Sequence, residues 1–161
     1  MAWHNSDGLY IKYGTEKTTA GKAGEFSPDN DLHEVQLILT LSELTATETI
    51  QSDTVILPAG ARIQEVETVT HTAAATGTAI DLGLIRTDRS TELDYDGLLA
   101  ALPTASMNAA GEKNIFSDNT TYDGALVGTT LAYSGYISAS RTDATAFTAG
   151  VIRVKIRYYM P

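Results

Sequence analysis

"GVIRVKIRYYMP", residues 150 to 161, decides the class of fold. In an extended chain Ile152, Val154, Ile156 and Tyr158 fall on one face, while Arg153, Lys155 and Arg157 fall on the other. The pattern is a strand with one face toward a core and a charged face away from it.

The same period of two recurs upstream. "HEVQLILTL" (33–41) turns Val35, Leu37, Leu39 and Leu41 inward, and Ile38 on the second face implies that this face is partly covered too. "TAIDLGLI" (78–85) supplies Ile80, Leu82 and Leu84, and "ALVGTTLAYSGYISAS" (125–140) groups Val127, Leu131, Tyr133 and Ile137. "GLYIKYGT" (8–15) is a shorter candidate strand. "TVIL" and "ARIQEVETVTHT" flank a corner at Leu57-Pro58-Ala59-Gly60, where Pro58 fixes φ and Gly60 allows the reversal. Beyond the corner Ile63, Val66 and Val69 break the period of two, which predicts a β-bulge. These runs amount to about seven strands, spaced as in a sandwich or barrel.

Helical periodicity is nearly absent. One exception is "STELDYDGLLAAL" (90–102): Ser90 or Thr91 can cap, Glu92 and Asp94 suit a helix N-terminus, and Leu98, Leu99 and Leu102 form an apolar patch before Pro103. One or two helical turns are expected there. Residues 14 to 32 and 103 to 123 read as long loops of the kind that carry function or lie against a partner.

Composition narrows the function. The 161 residues suit one domain with a real core, read here as a single β-sandwich with an N-terminal arm over about residues 1 to 15. There is no cysteine, so disulfide scaffolds and thiol nucleophiles are excluded. A net charge of −9 argues against a general nucleic-acid binder. No apolar run approaches membrane-spanning length, and "MAWHNSDG" has neither the basic nor the apolar part of a signal peptide, so a soluble, non-exported chain is expected.

The search for chemistry finds little. His4, His33 and His71 stand apart, so no metal site is expected. No nucleophile elbow surrounds Ser134, no phosphate-cradling glycine loop is present, and no cofactor is implied. The acidic groups around Asp29 and Asp94 lack the spacing of a calcium loop and read as turn and cap residues. Three of the eleven basic residues, Arg153, Lys155 and Arg157, share one strand face in an acidic protein. Either they keep a sheet edge from aggregating, or they form a footprint for an acidic neighbour.

Residues 54 to 102, with "LPAGA", "I-x-L-G-L" and the acidic "D-x-D-G-L", resemble the decoration, or cement, proteins of tailed bacteriophages, especially marine and cyanobacterial ones. The opening "MAWHNSDGLYIKYGT" is similar to the start of such proteins. The resemblance implies an all-β, jelly-roll-like antiparallel β-sandwich, with the one short helix and long loops read above. It also implies a non-enzymatic homotrimer, made in the bacterial cytoplasm, that sits on the outer capsid surface of the virion at threefold or quasi-threefold positions. There it binds the major capsid protein, with no nucleic-acid or membrane partner.

In that setting Trp3, Tyr10 and Tyr13 of the arm are candidate anchors, together with Arg153, Lys155 and Arg157, because aromatics and charges at a terminus favour interfaces. Two other readings stay open. One is a carbohydrate-binding head-fibre or tail-spike accessory domain. The other is a β-sandwich hydrolase using Asp81, Asp94 and Asp96, which clustering and perturbed pKa values of those groups would favour.

Overall fold

The computed structural model describes residues 32–160. Nine strands follow in order: β1 (Leu32–Thr40), β2 (Thr49–Ile50), β3 (Ile56–Leu57), β4 (Arg62–Thr76), β5 (Ala79–Arg86), β6 (Glu92–Pro103), β7 (Lys113–Ser117), β8 (Gly135–Arg141) and β9 (Phe147–Tyr159). They form two antiparallel sheets. One has the order β1-β9-β4-β7; in the other, of order β2-β8-β5-β6, β3 also pairs with β8.

Taking β2 and β3 as one interrupted strand gives four strands per sheet, and consecutive strands repeatedly cross from one sheet to the other. This connectivity is a jelly roll. The first described strand pairs with the last, Leu32 opposite Tyr159 through Thr40 opposite Val151, without a break in register.

The core lies between the sheets and follows the alternation read from the sequence. Leu37 and Leu39 of β1, Ile152, Val154 and Ile156 of β9, and Ile80, Leu82 and Leu84 of β5 are all buried. At about 1.5–3 kcal/mol for each large apolar side chain removed from water, this layer is the main favourable term.

The Pro58-Gly60 corner does what its residues require. The N–H of Ala61 donates to the Pro58 carbonyl at 3.2 Å, and Gly60 sits at φ +87°, where a side chain would be strained. The turn carries the chain from β3 in one sheet to β4 in the other. The expected bulge follows: Ile63 faces Tyr158 and Glu65 faces Arg157, so β4 uses one extra residue at Gln64. Beyond it Val66, Thr68 and Thr70 point inward, and Val69, grouped in the sequence with Ile63 and Val66, turns to the outer face opposite Arg153.

Three expectations are corrected. Residues 90–102 do not form a helix; they belong largely to β6, and the only helical elements among the described residues are two 3-10 turns, Leu41–Glu43 and Thr104–Met107. Leu98, Leu99 and Leu102 are fully buried, but against β5. A helix this short is marginal without tertiary support, so packing against the sheet decides the outcome.

The loop at 103–123 contains β7, whose Phe116 is buried. Its apolar pair, Ile115 and Phe116, is adjacent and shows no alternation over so short a run. The stretch 125–134 is not strand: Val127 and Leu131 do reach the core, but Tyr133 is half exposed.

Candidate functional site

The outer face of the β1-β9-β4-β7 sheet is built in rows. Register places Glu34, Arg157, Glu65 and Ser117 side by side, then Gln36, Lys155, Glu67 and Ile115, then Ile38, Arg153, Val69 and Lys113. Arg153, Lys155 and Arg157 are thus brought together as the alternation required. Their strand is not an edge, however, because β9 lies between β1 and β4. Edge protection therefore does not explain them.

Two of the three are paired within the chain. Arg157 donates through Nε to Glu34 at 3.1 Å, through Nη1 to Glu65 and through Nη2 to Glu67 at 3.4 Å. Lys155 lies 3.5 Å from Glu34 and 3.9 Å from Glu67, and Lys113 lies 3.0 Å from Glu67. Glu67 is the hub. Its side chain is 3% exposed, and burial alone would raise its carboxyl, but Lys113, Lys155 and Arg157 outweigh burial and hold it below the ordinary value of 4.5. Arg153 differs: its Nε is buried without an acceptor among the described residues, and it stands next to Ile38, which is strongly exposed.

A second cluster lies on the other sheet. Between the pairs Leu82–Leu99 and Leu84–Asp94, β6 takes up several extra residues, so Asp94 to Leu98 bulge away from regular pairing. The bulge is packed closely on β5. A Cβ on Gly83 would stand 2.0 Å from the Asp94 carbonyl oxygen and 2.3 Å from the Tyr95 carbonyl carbon, so only glycine fits there.

Asp81 on β5 is buried and accepts the Ala101 N–H at 2.7 Å. Burial raises its carboxyl, and the Asp96 charge adds to this. Asp94 is raised by burial first, then by a hydrogen bond to Asp96 and by the charge of Asp96.

The condition set for a hydrolase, acidic groups acting on one another with raised pKa values, is therefore met in its electrostatics. Among the described residues the rest of a catalytic site is not assembled. Asp81 is committed to a backbone amide, and among the described residues no Ser, Thr or His side chain hydrogen-bonds to Asp81, Asp94 or Asp96. Ser134 accepts the Ala59 N–H at the corner, and His33 stacks on Tyr158 at 5.3 Å. No group of three candidate metal ligands occurs among the described residues.

A third cluster went unseen in the sequence. Arg86 lies 3.6 Å over the ring of Tyr133, and Arg89 lies 5.0 Å over Tyr136 while pairing with Asp53 at 3.0 Å. The partners are some 50 residues apart along the chain, so no local pattern announces them. Trp3, Tyr10, Tyr13 and His4 lie outside the described residues.

Comparison with known proteins supports the architecture. No family model matches the chain, and no curated protein matches it. Among solved structures, a chain from the capsid of Ralstonia phage GP4 aligns with a TM-score of 0.54 at 13% identity, covering 87% of this chain and 90% of that one. A chain from the acid-stable capsid of Helicobacter pylori bacteriophage KHP30 aligns with a TM-score of 0.53 at 12% identity, covering 81% and 88%. The jelly-roll fold is shared with those two chains. At these identities the likeness is one of fold, and it spans most of each partner's length.

Proposed function

We propose that this chain is a structural virion protein that decorates the outer surface of a phage capsid and stabilises it by bridging neighbouring capsid subunits, as a homotrimer at threefold or quasi-threefold positions. The observation that carries this reading is the fold match with two phage-capsid chains, which covers four-fifths or more of this chain and of each of theirs. The resemblance of residues 54 to 102 to cement proteins supplies the decorating role.

The mechanism is adhesive. Each copy buries a modest area against the major capsid protein and its own neighbours, and the array resists rupture through multivalency. Trp3, Tyr10 and Tyr13 are the proposed apolar anchors, and the basic strip at Arg153, Lys155 and Arg157 the proposed polar contact. Arg153 is the foremost of the strip, because Lys155 and Arg157 already have internal partners.

Copy number in purified particles tests the proposal. Hundreds per virion are expected for a lattice component; a few dozen or fewer points instead to a fibre or tail accessory. The glycan-binding alternative draws its one support from the Arg86–Tyr133 and Arg89–Tyr136 cluster, because aromatic rings beside polar donors suit sugar recognition. A glycan array without hits discards it.

A further inference from the structure

The turn between β5 and β6 and the start of β8 meet at one end of their sheet, where register sets Arg86 opposite Gly135 and Ile85 opposite Tyr136. Two arginines and two tyrosines gather there, Arg86 over the Tyr133 ring and Arg89 over the Tyr136 ring. The turn is tightly tied. The Arg86 N–H donates to the Thr91 carbonyl at 2.7 Å, and the Arg89 N–H donates to the Arg86 carbonyl at 2.8 Å. The Asp88 carboxylate accepts the N–H groups of Ser90 and Thr91, both at 2.9 Å, and the Thr91 hydroxyl at 2.8 Å. Within this turn Arg89 sits at φ +63°, a left-handed conformation that a residue with a side chain adopts only at a cost. Asp88 is thus turned to the backbone while both guanidiniums lie on rings.

Both cations keep donors to offer. A guanidinium over a ring face retains its in-plane N–H fork for a carboxylate, and the buried Nε of Arg86 has no acceptor among the described residues. Arg89 does meet a carboxylate, Asp53 at 3.0 Å, but the two side chains are 53% and 70% exposed, so the pair is weak and exchangeable. Tyr133 is half exposed, which leaves apolar ring surface open beside the cations.

We infer that this cluster binds a polysaccharide of uronic acids, taking the sugar carboxylate on Arg86 and Arg89 and the C–H face of the ring on Tyr133. Asp53 shows the place that a ligand carboxylate takes at Arg89. Charge complementarity selects the class of ligand. A neutral sugar leaves the cations without a counter-charge, and a nucleic acid brings a dense row of phosphates to a chain of net charge −9. An acidic peptide answers the cations but lacks the flat C–H face that suits the tyrosines. The inference deepens the sugar reading of this cluster by naming the ligand class, and it holds for the isolated chain whether or not the chain sits on a capsid. On a lattice, many copies of a weak site add up to firm adhesion.

Binding of the 161-residue chain to oligomers of galacturonate, glucuronate and mannuronate, and to the methyl ester of each, is measured by titration calorimetry, with hexaglutamate as the acidic-peptide probe. At least one uronate is expected to bind and its methyl ester is not. Arg86→Gln should weaken binding about tenfold or more, as for a lost hydrogen bond to a charged group. Asp53→Asn should strengthen it up to about fivefold by removing the competing carboxylate, a gain that a misfolded variant does not produce.

Absence of binding to every uronate overturns the inference. So does equal binding of the methyl ester, which keeps the sugar reading but makes the site one for neutral sugars, and so does equal binding of hexaglutamate, which means that the site reads charge alone. Unchanged affinity in Arg86→Gln puts the ligand elsewhere and overturns the site. None of these outcomes touches the decorating role, which copy number tests.

Discussion

The two sheets handle their acidic side chains in opposite ways. On the β1-β9-β4-β7 sheet, Glu34, Glu65 and Glu67 meet Arg157, Lys155 and Lys113, and the buried hub Glu67 is held below its ordinary pKa. On the β2-β8-β5-β6 sheet, Asp81, Asp94 and Asp96 have no ion pair among the described residues, and burial together with the charge of Asp96 raises the first two.

The difference follows from regularity. From Glu65 to Thr70 β4 keeps unbroken register with β9 and sets opposite charges across from each other row by row, whereas the β6 bulge folds carboxylates toward one another. Charge in this acidic chain is neutralised where the sheet is regular and left standing where it is irregular.

The strongest way to break the contrast is Gly83→Ala. The added methyl meets backbone, not a yielding side chain, so the β6 bulge must move. A loss of about 3 kcal/mol is expected from urea denaturation. A loss below about 1 kcal/mol means that the bulge yields and does not depend on the close approach.

Glu67→Gln comes next, at about 2 kcal/mol: removing one partner of a buried ion pair costs more, but Lys113 is half exposed and can turn to water. Because the folded-state pKa of Glu67 is lowered, its contribution is complete above 4.5 and is lost as pH falls through the lowered value. The variant and wild type should therefore converge in acid. A gap unchanged between pH 7 and pH 2 rules out the network as its source.

Asp94→Asn has the opposite sign. A raised folded-state pKa means that protonation favours the fold, a benefit complete below the ordinary 3.8 and lost as pH rises through the raised value. The variant should gain on the order of 1 kcal/mol or less at pH 7 and nothing below pH 3.8, read by thermal denaturation across pH. Arg153→Ala is the mildest, with a change under about 0.5 kcal/mol in the isolated protein. If Arg153 faces the lattice, the same variant weakens capsid binding; equal binding removes it from the interface.

Much of this was legible in the residues. The alternation in β9, β1 and β5 set their inward faces, and the Pro-Gly corner and the bulge after it were written in Pro58, Gly60 and the spacing of Ile63 and Val66. Reading failed where tertiary packing overrode local preference. The stretch 90 to 102 has the cap and leucines of a short helix, yet β5 offered those leucines a better place.

The ion-pair rows could not be read either. That Arg153, Lys155 and Arg157 share a face follows from period two, but Glu34 and Glu67 meet them only because strands distant in sequence become neighbours. The Arg86–Tyr133 pair was hidden for the same reason.

The pairing of β1 with β9 also orders events in time. More than a hundred residues separate Leu32 from Tyr159, and at a synthesis rate of 5–20 residues per second β1 waits roughly ten seconds for its partner to be made. The β5–β6 pair is close in sequence and can form well before that. Throughout the wait the edge of β1 that takes β9 is unpaired, and β9 is not there to help cover Leu37 and Leu39. Crowding of nascent chains is therefore the stage at which this protein is most open to misassembly, and fewer chains made at once, or chaperoned synthesis, should raise its soluble yield more than any stabilising change made to the finished sandwich.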